Sequence, residues 1–330
     1  MGEWREGQGE GVPVRDATTG EVLAQVTAEG LPLKEAVAFG REVGGRALLT
    51  LGFQERGRRL RALALYLNER KEELYRLYAT TGGTRRDAWY DVDGGIGVLF
   101  AYSSLARNLP PGNLLPEEEY VPLSRDFSFQ GRHLLGPKQG ITVQINAFNF
   151  PVWGLLEKLA PAFLAGVPTL AKAATPTAHV AEGLVQLVVE SGILPEGSLQ
   201  FLAGSLGDTL EALDYRDSVY FTGSKATADS LRRHPAFMER GVFLNAETDS
   251  LNAAILGEEA GEEEVFRLAQ EIAQELAIKA GQRCTAIRRV LVPQGRLEAL
   301  LEATRGHLER LRPGDPREEG VELGPLASLE

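Results

Sequence analysis

One cysteine, Cys284, serves 330 residues, so no disulfide can form within the chain and the thiol acts alone. Methionine, tryptophan and histidine are scarce as well, with 2, 3 and 4 copies. The histidines, His133, His179, His234 and His307, have no spacing that suggests a metal centre, and no metal is expected. No apolar run reaches the ~20 residues of a membrane span. The opening residues, Met1 to Gln8, lack a basic start followed by an apolar stretch. With a single cysteine as well, a cytoplasmic address and no membrane partner are expected. Positive charge is in deficit: 35 Lys and Arg face 46 Asp and Glu, giving a net charge of -11 and a pI near 5.1. Nucleic-acid backbones are bound by clustered Lys and Arg, so no nucleic-acid partner is expected. Also missing is a G-x-G-x-x-G that follows a strand and opens a helix; Gly95-Ile96-Gly97 is too short to count.

What is present is an ordinary globular composition, 43% hydrophobic and 25% charged, in a chain long enough for two domains. Short runs rich in β-branched residues alternate with longer segments of 3.6-residue period, the rhythm of a parallel α/β sheet. Strands are expected at 141–145, 167–171, 199–203, 218–221, 242–245 and 253–256. Helices are expected at 152–166, 178–190 and 208–213. Leu60, Leu63, Leu67, Leu74 and Leu77 mark a long amphipathic helix over 54–80. Between Pro110 and Gly140 the pattern breaks into proline, glycine and charge, then strand-like alternation around Phe127-Ser128-Phe129 and Arg132-His133-Leu134-Leu135, which by itself reads as a surface hairpin. The acidic run 258–264 reads as a loop entering a helix N-terminus, where carboxylates are favoured.

By itself a lone cysteine is a small hydrophobe as readily as a nucleophile. Its companions decide between the two. Ile145-Asn146-Ala147-Phe148-Asn149-Phe150-Pro151, Phe221-Thr222-Gly223-Ser224, Leu244-Asn245-Ala246-Glu247 and Gly281-Gln282-Arg283-Cys284, in this order and at these separations, resemble the NAD(P)-dependent aldehyde dehydrogenase superfamily. The resemblance runs from about Val12 to Leu326.

It implies an α/β fold: a Rossmann-like parallel-sheet cofactor domain over 1–116 and 140–256, a β excursion for oligomerisation over 117–139, and the start of a second α/β catalytic domain over 257–330. A homo-oligomer is expected. Aldehyde oxidation needs a nucleophile, an oxyanion donor, a hydride acceptor and a base that hydrolyses the thioester. The resemblance makes Cys284 the nucleophile and Asn149 the oxyanion donor. Glu247 is the expected base: matching the family's Gly-Gly-Lys-Ser-Pro-Asn-like stretch to Ser250 and Asn252 takes a two-residue deletion, and Asp249 is the second choice.

For the cofactor, the resemblance implies a pocket formed by Ile145, Ala147, Phe148, Lys172, Thr175, Gly204, Phe221, Gly223 and Ser224. Lys172 matches a lysine that touches the adenosine ribose. NAD-preferring relatives commonly carry a glutamate three residues later, where this chain has Thr175. A carboxylate there would repel a 2′-phosphate, so NADP is expected over NAD.

Lys279-Ala280-Gly281-Gln282-Arg283-Cys284-Thr285-Ala286-Ile287-Arg288-Arg289 and Glu247-Thr248-Asp249-Ser250-Leu251-Asn252 look most like the branch of semialdehyde dehydrogenases of phenylacetate degradation, whose substrates are CoA-linked aldehydes. Arg312-Pro313-Gly314-Asp315-Pro316 and Leu323-Gly324-Pro325-Leu326 resemble a motif from the middle of the catalytic domain, so the chain is expected to be part of a longer protein. The rival expectations are a CoA-acylating or reductive acyl-transfer enzyme of the same superfamily, and a nucleotide-binding scaffold without catalysis.

Overall fold

Strand residues of alternating destination build the centre of the molecule. Val143, Ile145, Leu170, Val219 and Phe221 point into one core, while Ala171 points into another on the opposite face of the same sheet. The computed structural model describes residues 2–117 and 119–328. Met1, Glu118, Leu329 and Glu330, which fall within the expected segments 1–116, 117–139 and 257–330, lie outside the described residues.

An antiparallel hairpin, β1 (Val12–Arg15) with β2 (Val22–Val26), comes first. The central sheet has five parallel strands: β3 (Thr142–Ile145), β4 (Thr169–Lys172), β5 (Leu199–Leu202), β6 (Ser218–Thr222) and β7 (Phe243–Glu247), in the spatial order β7-β6-β3-β4-β5. The long amphipathic helix is α1 (Phe53–Ala79), and α2 (Gly94–Ala106) packs along it. Helices α3 (Trp153–Ala165) and α4 (Ala178–Glu190) cross over between β3, β4 and β5 and bury Leu155, Leu159, Leu184 and Val188 against α1 and α2. The opposite face is covered by α5 (Lys225–Arg232) and by the helical turn Leu33–Phe39. Helix α3 ends at Gly166, whose φ of 82° is the left-handed conformation that closes a helix without a Cβ penalty.

The expected strand at 253–256 forms as β8 (Ala253–Ile255), but its partner is β9 (Arg289–Leu291), outside the five-stranded sheet. The five-stranded sheet ends with Glu247, and residues 248–252 lead from it to β8. Helices α6 (Glu262–Ala277) and α7 (Leu297–Leu308) cover β8 and β9 around Val265, Ala269, Ile272 and Leu300. The expected helix at 208–213 is a short 3-10 turn, Thr209–Ala212. Two short antiparallel pairs form: Leu115–Pro116, just before the expected excursion of 117–139, with Leu134–Leu135, and Val121–Pro122 with Gln130–Gly131 inside it. Among the described residues no helix is long and apolar enough to cross a membrane.

Strand order places the crevice. The chain runs outward from β3 to β4 and β5, then returns to lay β6 on the other side of β3. The carboxyl ends of β3 and β6 therefore flank a topological switch point, where open α/β sheets bind ligands.

Candidate active site

Two elements carry the candidate residues to this crevice. Pro151 cannot continue β3, and α3 begins two residues later. The first N–H groups of α3 are capped by a buried acid distant in sequence: Asp91 accepts from Val152 N at 3.1 Å and from Trp153 N at 2.7 Å. Burial pushes Asp91 up to about 7, against the pull of these two hydrogen bonds. Asp91 projects from a π-helical turn, Trp89–Asp93, a local widening often found at functional sites. The α3 end of the Asn149 loop is fixed in this way.

On the other side, α6 ends and Lys279, Ala280 and Gly281 follow with φ of 52°, 51° and 73°. Only the glycine adopts this conformation freely; each of the other two costs ~1–2 kcal/mol. The segment is held by bonds to its carbonyls. Asn252 Nδ2 donates to Cys284 O at 2.6 Å and to Ala286 O at 3.2 Å, and Ser250 Oγ also donates to Cys284 O. Asn149 Nδ2 donates to Gln282 O at 3.0 Å, which brings the expected oxyanion donor to the residue pair before the cysteine. An amide has two N–H groups, so this bond leaves one to give.

Cys284 is exposed. Its pKa is raised, first by the protein packed on its inner side and then by the charge and hydrogen bonding of Glu247, with smaller opposing pulls from the backbone N–H groups of Cys284 and Thr285. The structure thus sets Glu247, the last residue of β7, beside the thiol. Asp249 goes elsewhere: its Oδ2 accepts from Lys225 N at 3.1 Å, at the start of α5. Glu247 thus acts on the Cys284 thiol, Asn149 reaches Gln282 two residues before the cysteine, and the Asp249 carboxylate is engaged at Lys225 N.

The residues expected around the cofactor divide. Ala147 and Phe148 lie in the loop just beyond β3, and Gly223 and Ser224 just beyond β6, on the two sides of the crevice. Lys172 ends β4; burial lowers its pKa and no carboxylate pairs with it among the described residues. An unpaired, half-buried ammonium suits a ribose phosphate. Thr175 begins the turn that leads into α4.

The remaining expected residues pack or bond within the chain. Ile145 and Phe221 are 8% and 4% exposed and pack in the apolar core against α5. The Ser224 hydroxyl accepts from Thr227 N at 3.2 Å as the cap of α5. With Asp249 on Lys225 N, two N–H groups at the start of α5 are partnered within the chain. Gly204, with φ of 102°, packs on the backbone of Thr27 and Ala28 at the end of β2.

Several residues at the site had no assigned role from sequence. Asn252 and Ser250 belong to the quoted motif, and their hold on Cys284 O is a tertiary fact. Asp91 carries no local signal. Lys279 stands five residues before the cysteine, and a lysine in an otherwise apolar approach to a glycine was a signal to follow.

Comparison with known proteins agrees with this geometry. The aldehyde dehydrogenase family model matches residues 4–330. A 3,4-dehydroadipyl-CoA semialdehyde dehydrogenase from Aromatoleum evansii is 45% identical over 330 residues, 99% of this chain; the chain spans 64% of that protein's length. Among solved structures, PnpE from Pseudomonas sp. WBC-3 superposes with a TM-score of 0.80 at 25% identity, over 96% of this chain and 63% of that one. The NADP-dependent glyceraldehyde-3-phosphate dehydrogenase of Bacillus halodurans C-125, complexed with NADP, superposes with a TM-score of 0.82 at 24% identity, over 97% and 66%.

Proposed function

The chain belongs to the aldehyde dehydrogenase family, and from that premise we propose that it oxidises a CoA-linked semialdehyde of aromatic catabolism to the acid, with NADP as the oxidant. The observation that carries this reading is the meeting of Cys284, Glu247 and Asn149 from three distant stretches of chain. The semialdehyde substrate rests on the 45% identical relative, and NADP on the unpaired Lys172 with Thr175 in place of a glutamate.

In the resting site the thiol keeps its proton, because an adjacent carboxylate disfavours a thiolate. As Cys284 Sγ attacks the aldehyde carbon, its proton leaves to solvent at the exposed side of the thiol, and the Glu247 carboxylate stays ionised. The free N–H of Asn149 and the backbone N–H of Cys284 receive the developing oxyanion, a donor being worth ~2.7–4 kcal/mol of barrier. NADP, held near Lys172 at the β3–β6 crevice, would supply the hydride acceptor. Glu247 then activates a water that releases the acid and restores the thiol. A thioester passed on to CoA would need no such base, so Glu247 beside the thiol favours hydrolysis over acyl transfer.

The exposed apolar side chains of the excursion, among them Tyr120, Leu123, Phe127 and Phe129, support a homo-oligomer. A cytoplasmic setting fits a substrate made and used inside the cell.

The test is NADPH formation from a CoA-linked semialdehyde by the full-length protein. Cys284→Ala is expected to lower turnover by ~10⁴-fold or more. Glu247→Gln is expected to release a single burst of NADPH and then stall. Full turnover by Cys284→Ala sinks the reading, and unbroken turnover by Glu247→Gln moves the base elsewhere.

A further inference from the structure

Lys279 is 7% exposed, and nothing in the reaction as described uses it. Its amine lies 4.3 Å from the ring centre of Tyr78 and 4.9 Å from that of Phe150, hydrogen-bonds to the Tyr78 hydroxyl and donates to the carbonyl of Asn149. Among the described residues no carboxylate pairs with this amine, and burial lowers its pKa well below the ordinary lysine value. The backbone N–H of the same residue donates to Asp87 Oδ1 at 2.9 Å. The other oxygen of Asp87 accepts from Thr84 N at 2.9 Å, in the capping box of the helical turn Arg85–Ala88.

Three side chains close a ring here. Asn149 Nδ2 donates to Gln282 O at 3.0 Å, Gln282 Nε2 donates to Lys279 O at 2.8 Å, and Lys279 Nζ donates to Asn149 O. Each residue's side chain thus holds the backbone carbonyl of the next. The ring spans the loop that carries the oxyanion donor and the left-handed segment that leads into the nucleophile.

Resting on the dehydrogenase reading above, we propose that Lys279 is a positioning residue, the member of a Lys279–Gln282–Asn149 clasp that sets Asn149 against Cys284 for attack on the aldehyde. Stability alone does not explain a lysine at this place. An amine buried without a counter-ion is a burden on the folded state, and an apolar side chain of the same length between Tyr78 and Phe150 would be neutral or better. What an apolar chain cannot do is hold the Asn149 carbonyl. The left-handed backbone at Lys279 and Ala280 points the same way, since conformations of this kind persist where surrounding contacts impose them.

The test uses Lys279→Met and Gln282→Leu in the full-length protein. Lys279→Met is expected to lower kcat by roughly 10- to 100-fold, the cost of ~1 Å of misplacement. Its KM for NADP should change by less than about threefold, because no uniform binding is lost. Its Tm is expected to hold or rise. Gln282→Leu should lower kcat comparably, and the double variant little further, as for residues that act as a unit. Wild-type kcat in Lys279→Met overturns the proposal, and so does a loss of kcat matched by a loss of Tm.

Alkylation of Cys284, the sole thiol, by iodoacetamide gives a readout independent of turnover. Release of the segment should speed it about threefold or more in both single variants. Unchanged alkylation in both overturns the clasp, even if the wild-type chain proves inactive on semialdehydes and the dehydrogenase reading itself fails.

Discussion

The five-stranded sheet and the segment 278–289 meet at one crevice and are held by opposite means. The sheet is stabilised by area: its strands are parallel and backbone-paired, and the central β3 and β4 are buried under helices on both faces. The segment 278–289 has two non-glycine residues in left-handed backbone. It is kept in place by side chains that donate to its carbonyls: Asn149, Gln282, Ser250, Asn252 and Arg288. Burial tolerates small sequence changes at many positions, whereas directed hydrogen bonds concentrate the geometry in a few. The part proposed to carry chemistry is therefore the part with least redundancy.

This contrast can be broken by substitution. Leu159 is fully buried between α3 and its neighbours, and Leu159→Ala is expected to cost about 2–5 kcal/mol of stability while leaving the kcat of the folded fraction near wild type. Denaturant unfolding followed alongside initial rates checks both halves. Asn252→Ala should invert the pattern. The carbonyls of Cys284 and Ala286 lose a donor, stability falls by about 1–2 kcal/mol, and kcat falls roughly 10- to 100-fold. If Asn252→Ala destabilises as much as Leu159→Ala with no loss of kcat, the two regions are not held differently.

The pH dependence sharpens the same contrast with a smaller effect. His179, at the start of α4, is depressed to about 4 by burial. A group lowered in the folded state contributes stability that is present above its ordinary pKa of ~6.5 and is lost as pH falls through 4. Asp91, raised to about 7, behaves oppositely: its contribution is present below ~4 and is lost as pH rises through 7. His179→Gln should thus flatten the acid arm of the stability profile and Asp91→Asn the neutral arm, each by roughly 1–3 kcal/mol. Only Asp91→Asn should also disturb turnover, since Asp91 holds the turn that carries Asn149. A shift of turnover in His179→Gln of the same size would contradict the separation between scaffold and site.

The alternation of β-branched runs with 3.6-period segments was enough, from sequence, for the parallel α/β class, for α4 at its observed bounds, and for most strands to within two residues, because each rests on local periodicity. Glycine-rich α2 and the π-helical turns were not legible, since glycine weakens a helical pattern and a π turn leaves no period of its own. The motifs around Asn149, Glu247 and Cys284 could be read in the chain because family chemistry restricts residue type at those positions. Their meeting could not, nor could the separate engagements of the two acids, Glu247 on the thiol and Asp249 at Lys225 N. The inward turn of Ile145 and Phe221, the pairing of β8 with β9 and the ring of Lys279, Gln282 and Asn149 belong to the tertiary structure alone. Each depends on contacts between residues tens to more than a hundred positions apart, and a local pattern carries no record of which distant carbonyl a side chain will find.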